Sequence, residues 1–480
     1  MRLVHGVYEG PASYGVLRLA ASMRSVHAVL RALPAEAYFP ALRAALEKSG
    51  EVSPVTLSPI WRRPEDSRAP GNLARDLAET ARRHPETEAI IVARSEAALL
   101  SGEEAPEISL PEDEKTGEAR RLILCDWEAP GIGELEGADL ALEDLVRAYA
   151  RREERSPRPT VNLFGPPALH PAAEAEYEEA ERLLDLIGIG VNARAPLGAS
   201  PEDLAGLTRA WANVVLCRET GESATLYLQD EFGMPRVTTP MIGSAGTGAA
   251  LRAVGALCGL EERQIRRAVW GELARTAKLP WYARLAAPET FRGRRAVLFG
   301  DFTRSLGLGY VLSREVGLEV AACGTYAAHL ERDFLFHAHT LTDEAFISDD
   351  PEDVAARIED TSPDLIVGTF LEEEVADSLG VPFLPLCAPA AEHPFVERPL
   401  VGYAGGNVLA DALDVALGGI EERSEVVVPE TGMPWTEEAM EELEAVPPFL
   451  RGRARRLAEE EARELKAPEV TREIFLRSRP

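Results

Sequence analysis

Cysteine is sparse in this chain and scattered. Cys125, Cys217, Cys258, Cys323 and Cys387 lie far apart, and none forms a C-x-x-C pair. That spacing argues against a disulfide framework and against a zinc or iron–sulfur site built by this chain alone; buried structural thiols are the ordinary reading. Lysine is scarcer still. Of 51 basic residues four are lysine, a bias that reads as genome or surface preference and not as a binding signal. Long apolar runs are missing, so no membrane-spanning helix is expected. No basic stretch followed by an apolar core opens the sequence, so no secretory leader is expected and the cytoplasm is the expected place. Positive charge is in deficit. A net charge of −29 argues against a general nucleic-acid or anionic-membrane surface and fits a basic or neutral partner.

The 480 residues, 45% hydrophobic and 27% charged, have the composition of a soluble globular chain of two to four domains. Short apolar runs recur: AIIVA (89–93), LILCD (122–126), TVNLF (160–164), NVVLC (213–217), RRAVLFGD (294–301), LEVAACG (318–324), LIVGTF (365–370) and VPFLPLC (381–387). They are continuous rather than alternating, as strands buried on both faces are, and helical periods separate them. The pattern predicts doubly wound α/β domains. Ser200-Pro201-Glu202-Asp203 and Asp350-Pro351-Glu352-Asp353 each supply a cap, a first-turn proline and early acids. Three α/β blocks, 1–155, 156–290 and 291–427, are expected, with a helical module at 428–480. Spacing does not say whether late helices return to earlier blocks.

Several loops could carry chemistry. RLVHGVY reads as a first strand feeding the Glu-Gly-Pro loop of YEGPASYGVLRLAASM (8–23). A Walker loop would end in Lys-Ser/Thr, but the following helix carries Leu17-Arg18-Leu19; a dinucleotide fingerprint needs three spaced glycines, and only Gly10 and Gly15 occur. GSAGTG (243–248) precedes a helix, so its amides could meet an anion, or its glycines could simply allow close packing. In GDFTRSLGLG (300–309), Asp301 and Thr303 sit where α/β proteins place ligands or helix caps. HAH (337–339) would put two imidazoles on one face of a strand, though no third metal ligand is evident. RGRARR (451–456) could bind a carboxylate, a phosphate or an acidic partner, or pair with EEEARE through offsets such as Arg455–Glu459 and Arg456–Glu460.

Taken in order, YEGPASYGVLRLAASM, NARAPLGASPEDLAGL (192–207), ETGESA (219–224), the Pro-Trp pair with GRRAVLFGD (280–301), GGNVLAD (405–411) and PPFLRGRARR (447–456) resemble the B-type subunits of light-independent (dark-operative) protochlorophyllide reductases, which are nitrogenase-like enzymes. The resemblance covers nearly the whole chain. It implies three Rossmann-like domains plus a helical C-terminal module. It further implies a heterotetramer with an N-type subunit and a [4Fe–4S] cluster shared at the interface. Electrons would come from an ATP-dependent L-type iron–sulfur reductase, which carries the nucleotide, and the substrate would be a tetrapyrrole. By the same resemblance the Glu-Gly-Pro loop belongs to a subunit contact rather than to a phosphate cradle. The family's cluster aspartate corresponds to Glu36, a family cysteine to Ser95 with Arg94 beside it, and the family's proton-donating aspartate to Ala287, with Asp301 and Glu289 the nearest acids in sequence. Trp281 and Tyr282 would wall the substrate cavity, and Arg451 or Arg453 would meet a substrate carboxylate. Glu36, Ser95 and Ala287 also open an alternative: a divergent paralogue that binds tetrapyrrole or assists assembly without reductase activity.

Overall fold

Apolar runs become parallel strands when helices cover both faces of the sheet, and this chain does so three times. The computed structural model describes residues 6–33, 36, 54–60, 73–100, 120–125, 127, 129, 131–168, 170, 172–276, 293–389, 398–417, 433–444, 454–455, 457–459, 461–463 and 465–478.

The first unit runs α1 (Ala12–Ser22), β1 (Val26–Ala32), β2 (Val55–Pro59), α2 (Leu73–Arg83), β3 (Ala89–Arg94), α3 (Glu96–Leu100), β4 (Arg121–Leu124) and α4 (Glu134–Tyr149). Its sheet is parallel with order β2-β1-β3-β4. Helices α1 and α4 share one face. There a Cβ on Gly15 would strike the Glu134 carbonyl and the Ala138 amide, so only glycine permits the crossing. Helix α2 buries Leu73, Leu77 and Ala81 against Val29, Ile90 and Val92 on the other face.

The second unit holds β5 (Thr160–Phe164), α5 (Ala173–Leu186), β6 (Gly190–Ala195), α6 (Pro201–Ala205), β7 (Ala212–Val215), α7 (Glu222–Phe232), β8 (Arg236–Val237), α8 (Gly243–Leu257) and α9 (Glu262–Thr276), with sheet order β6-β5-β7-β8. Ser200 and Asp203 form the capping box that starts α6.

The third comprises β9 (Arg295–Gly300), α10 (Phe302–Tyr310), β10 (Glu319–Thr325), α11 (Glu331–Ala338), β11 (Ala345–Ile347), α12 (Pro351–Thr361), β12 (Leu365–Val367), α13 (Glu373–Leu379), β13 (Phe383–Leu384) and α14 (Gly402–Leu417). The order β11-β10-β9-β12-β13 is doubly wound, reversing direction beside β9, where such sheets place ligands. Asp350 caps α12 by accepting from Glu352 N–H at 2.9 Å.

Helix α14 does return. Gly402 N–H donates to Met241 O at 2.6 Å, and Tyr403 lies in the second unit's core while Leu409 and Leu413 lie in the third's. The C-terminal module has its own small core, in which α15 (Glu437–Glu444) and α16 (Arg472–Arg477) bury Ala439, Leu443, Ile474 and Phe475 with Ala458 and Ala462.

Three expectations are corrected. The strand read at RLVHGVY is absent from its described part, residues 6–8; among the described residues the first strand follows α1. VPFLPLC is strand only at Phe383–Leu384. The two imidazoles of HAH lie at the end of α11, where residues two apart do not share a face, so the paired-ligand geometry is lost.

Candidate functional site

The carboxyl ends of β1, β2, β3 and β4 form one edge of the first sheet, the position from which parallel sheets present ligand-binding groups. Glu36 lies there. The chain turns back after β1, with Glu36 N–H donating to Leu33 O at 3.2 Å and Leu33 N–H donating to Glu36 Oε2 at 2.7 Å. Glu36 is half-buried, its carboxylate oriented by that one amide among the described residues. Ser95 directly follows β3. Ser95 N–H donates to Arg31 O (2.9 Å), and its hydroxyl receives Ala98 N–H (3.3 Å) as the cap of α3. Arg31 and Arg94 are register partners on β1 and β3. They splay apart: Arg31 donates to Ser58 Oγ (3.1 Å) and Pro59 O (2.8 Å), and Arg94 to Cys125 O (3.0 Å). Like charges side by side on a sheet repel, and these separate hydrogen bonds relieve that cost.

The Glu-Gly-Pro loop binds its own chain. Tyr8 donates to Glu372 Oε1 at 2.6 Å and stacks on Tyr326 with centroids 5.4 Å apart, inside the third unit's core. Glu9 accepts from Leu135 N–H at 3.0 Å, and burial pushes its carboxyl up to about 7. Glu134 takes Gly10 N–H (3.0 Å) and Arg18 (2.6 Å). Within the chain these side chains tie the first unit to the third.

The loop weighed as an anion site and the loop weighed as a ligand or cap site are both filled from within. The amides of Ser244 and Ala245, at the start of α8, donate to the Glu315 carboxylate at 3.0 and 2.9 Å. At the start of α10, Thr303 N–H and Oγ1–H donate to Glu219 at 3.1 and 2.5 Å. Asp301 stands at the N-cap position of α10, but its side chain makes no capping bond; it accepts from Ala388 N–H at 2.7 Å, and burial, with Glu219 close by, lifts its carboxyl to about 8. Helix N-termini favour negative charge, and here glutamates supply it.

Glu219 belongs to ETGESA, which joins all three units. Arg218 N–H donates to Thr303 Oγ1 (3.0 Å), and the Arg218 guanidinium reaches Asp333 (2.5 Å) of the third unit. Ser223 meets Asp139 of α4, in the first unit. Sequence patterns had not singled out Asp139. Its signal was there: Leu135, Asp139, Leu142 and Val146 fall on one helical stripe, so an acid stands among residues destined for the core.

Arg455 pairs with Glu459 at 3.2 Å, as the four-residue offset anticipates. Glu459 is buried and also meets Trp435 Nε1 (3.2 Å) and Arg463 (3.4 Å). Trp281, Tyr282, Ala287, Glu289, Arg451, Arg453 and Arg456 lie outside the described residues. Among the described residues no three His, Cys, Asp or Glu side chains group as a metal site, and no helix is long and apolar enough to cross a membrane.

Residues 70–417 match the family of nitrogenase component 1 type oxidoreductases, and residues 435–479 match the proto-chlorophyllide reductase 57 kD subunit family. The B-type subunit of a light-independent protochlorophyllide reductase from Heliobacterium modesticaldum is 34% identical over 517 residues, covering 99% of this chain and 97% of that protein. Its counterpart from Leptolyngbya boryana is 29% identical over 99% of this chain and 98% of its own. Among solved structures, a nitrogenase Cp1 at pH 6.5 superposes with a TM-score of 0.67 at 14% identity, covering 90% of this chain and 96% of that one, which speaks for the fold alone.

Proposed function

Because the chain belongs to the nitrogenase component 1 type oxidoreductases, alongside the B-type subunits of light-independent protochlorophyllide reductase, we propose that it is the B-type half of such a reductase. The observation that carries the reading is the end-to-end match, C-terminal module included. The substrate would be a tetrapyrrole, reduced at one ring double bond. A [4Fe–4S] cluster held between this chain and an N-type subunit would supply the electrons, refilled by an L-type reductase that carries the ATP.

Glu36 suits the ligand role from this side. A carboxylate at a strand end, held by one amide at 2.7 Å and half-buried, is an oxygen donor to iron that needs little reordering. The remaining ligands would be thiolates of the partner subunit. Arg451 or Arg453 would neutralise a substrate carboxylate, and Trp281 and Tyr282 would offer apolar walls to the macrocycle. The proton needed at ring carbon must come from an acid other than position 287, which is alanine. That substitution favours a second reading, a paralogue that keeps the cleft without the turnover.

Anaerobic co-expression with an N-type subunit, followed by iron quantification and EPR, tests the first reading. A complex with about four irons per pair, depleted of iron by Glu36→Ala and retained by Glu36→Asp, supports it. A complex without iron discards it, and a cluster signal with no tetrapyrrole reduction leaves the paralogue.

A further inference from the structure

The NARAP run at 192–196, which the reductase reading leaves without a task, lies on an irregular strand. In a regular strand residues two apart share a face, and paired residues of neighbouring strands point the same way. Asn192 and Arg194 should therefore share a face, and they do not. β6 is an edge strand whose pairing with β5 jumps: Val161 pairs with Val191, but Asn162 pairs with Ala193, so Asn192 is an extra residue, a β-bulge. Val191, before it, packs with Val161 and Leu163 in the core beneath α5. Ala193 and Ala195, after it, pack with Phe164 in the core shared with the first unit.

The residues on either side of the jump make opposite demands. Asn192 serves a file of amides across the sheet. Its Nδ2 donates to Asn162 Oδ1 (2.8 Å) and Gly206 O (3.2 Å), and Asn162 Nδ2 donates to Asn213 Oδ1 (2.8 Å) and Leu207 O (2.9 Å). Asn162 and Asn213, register partners on β5 and β7, are fully buried. With Leu207 O taking its Nδ2, Asn162 turns toward β6 an acceptor that only a donor satisfies, and a buried acceptor left open is destabilising. Arg194 belongs on the opposite face. There its guanidinium donates to Glu181 of α5 at 2.6 and 2.5 Å and to Glu174 at 2.7 Å, and lies over the Tyr177 ring.

We propose that the bulge in β6 is held by two opposed restraints, the amide file drawing Asn192 to one face and the α5 glutamates drawing Arg194 to the other, so that NARAP sets the phase of the strand end and of the turn after it. The inference goes beyond the reductase reading and does not draw on it. In a regular strand one demand would go unmet. Pairing continued forward from Val191 would set Arg194 opposite Phe164, in the apolar core. Pairing continued back from Ala193 would set Asn192 opposite Val161, on the α5 face and away from the file. One extra residue meets both demands, because a shift of one flips every side chain that follows. The next turn depends on that phase: Gly198 N–H donates to Ser22 O and Arg24 N–H to Ala199 O, both at 2.7 Å, joining the second unit to the first.

Two variants of the full chain remove one restraint each. Arg194→Ala leaves a run of alanine that fits either face. Its crystal structure should show β6 without the bulge, Asn162 now paired with Asn192 and Leu163 with Ala193. Asn192→Val should lose the bulge in the opposite direction, position 192 now paired with Val161. Arg194→Lys keeps the charge beside the glutamates and should keep the wild-type pairing. Residue-resolved hydrogen exchange reads the same change in solution. Protected and open amides alternate along an edge strand, and the alternation should shift by one residue after position 192 in Arg194→Ala and before it in Asn192→Val. Wild-type pairing retained by either variant, or the same shift in both, overturns the proposal; if one variant fails to fold, the other decides alone.

Discussion

Alanine at position 287 carries no proton, yet reducing a ring double bond requires one at carbon. A positioned general acid contributes roughly 10²–10⁴-fold to such a step. If the complex turns over, Ala287→Asp should raise kcat by about that factor while substrate KM stays nearly constant, measured by tetrapyrrole absorbance with an excess of reductase. No gain would mean that the acid acts from elsewhere. Asp301, the nearest described acid in sequence, is occupied: it is 2% exposed and tied to Ala388 N–H. Single residues were unevenly legible. Glu36 is singled out by resemblance alone, and the geometry adds only the amide that orients its carboxylate. Asp139 could have been found from its place on an apolar helical stripe, but its partner Ser223 lies 84 positions away, and no local pattern links the two.

Helices and strands show why local reading succeeds and fails. Strands β3, β9 and β10 were legible because their apolar runs are unbroken, and β5 because Asn162 alone interrupts its run. β1 was not, because His27 and Arg31 interrupt it. Both are nonetheless buried, His27 against Thr56 at 2.8 Å and Arg31 against Ser58 and Pro59. Tertiary partners satisfied polar groups that a one-dimensional pattern counts as exposed. Glycine spacing had a like ambiguity. Gly15 and Gly243 could have served a ligand; one admits the Glu134 carbonyl of α4, the other the Glu315 carboxylate. Gly15→Val should therefore separate α1 from α4 and cost on the order of 3 kcal/mol. Urea unfolding followed by tryptophan fluorescence would show it as a lower midpoint, and an unchanged midpoint would count against the close crossing.

At the scale of the molecule, the three units are joined by buried polar ties as well as by apolar cores. Glu219–Thr303, Asp139–Ser223 and Tyr8–Glu372 each bridge two units. Thr303 both donates to Glu219 and accepts Arg218 N–H, so Thr303→Val keeps the shape and strands two buried groups. Each such group costs about 1–3 kcal/mol. The variant should become more sensitive to limited proteolysis between the second and third units at unchanged helical content by circular dichroism; equal cleavage rates would show the tie to be dispensable. Glu9 and Asp301 share a sign, since burial raises both carboxyls. Their combined contribution is greatest in acid and is lost as pH rises through about 7 to 8.

Period and composition alone were enough for the α/β class, because a strand covered on both faces is mostly apolar and a helix between strands is amphipathic. The ordered set of motifs was enough for the family. Neither could say that helix α14 returns to the second unit, that the opening loop reaches the third unit's core, or that two glycine-bearing helix starts are closed by glutamates from distant positions. Those outcomes depend on contacts between residues tens to hundreds of positions apart, and only the packed chain decides which buried charge meets which partner.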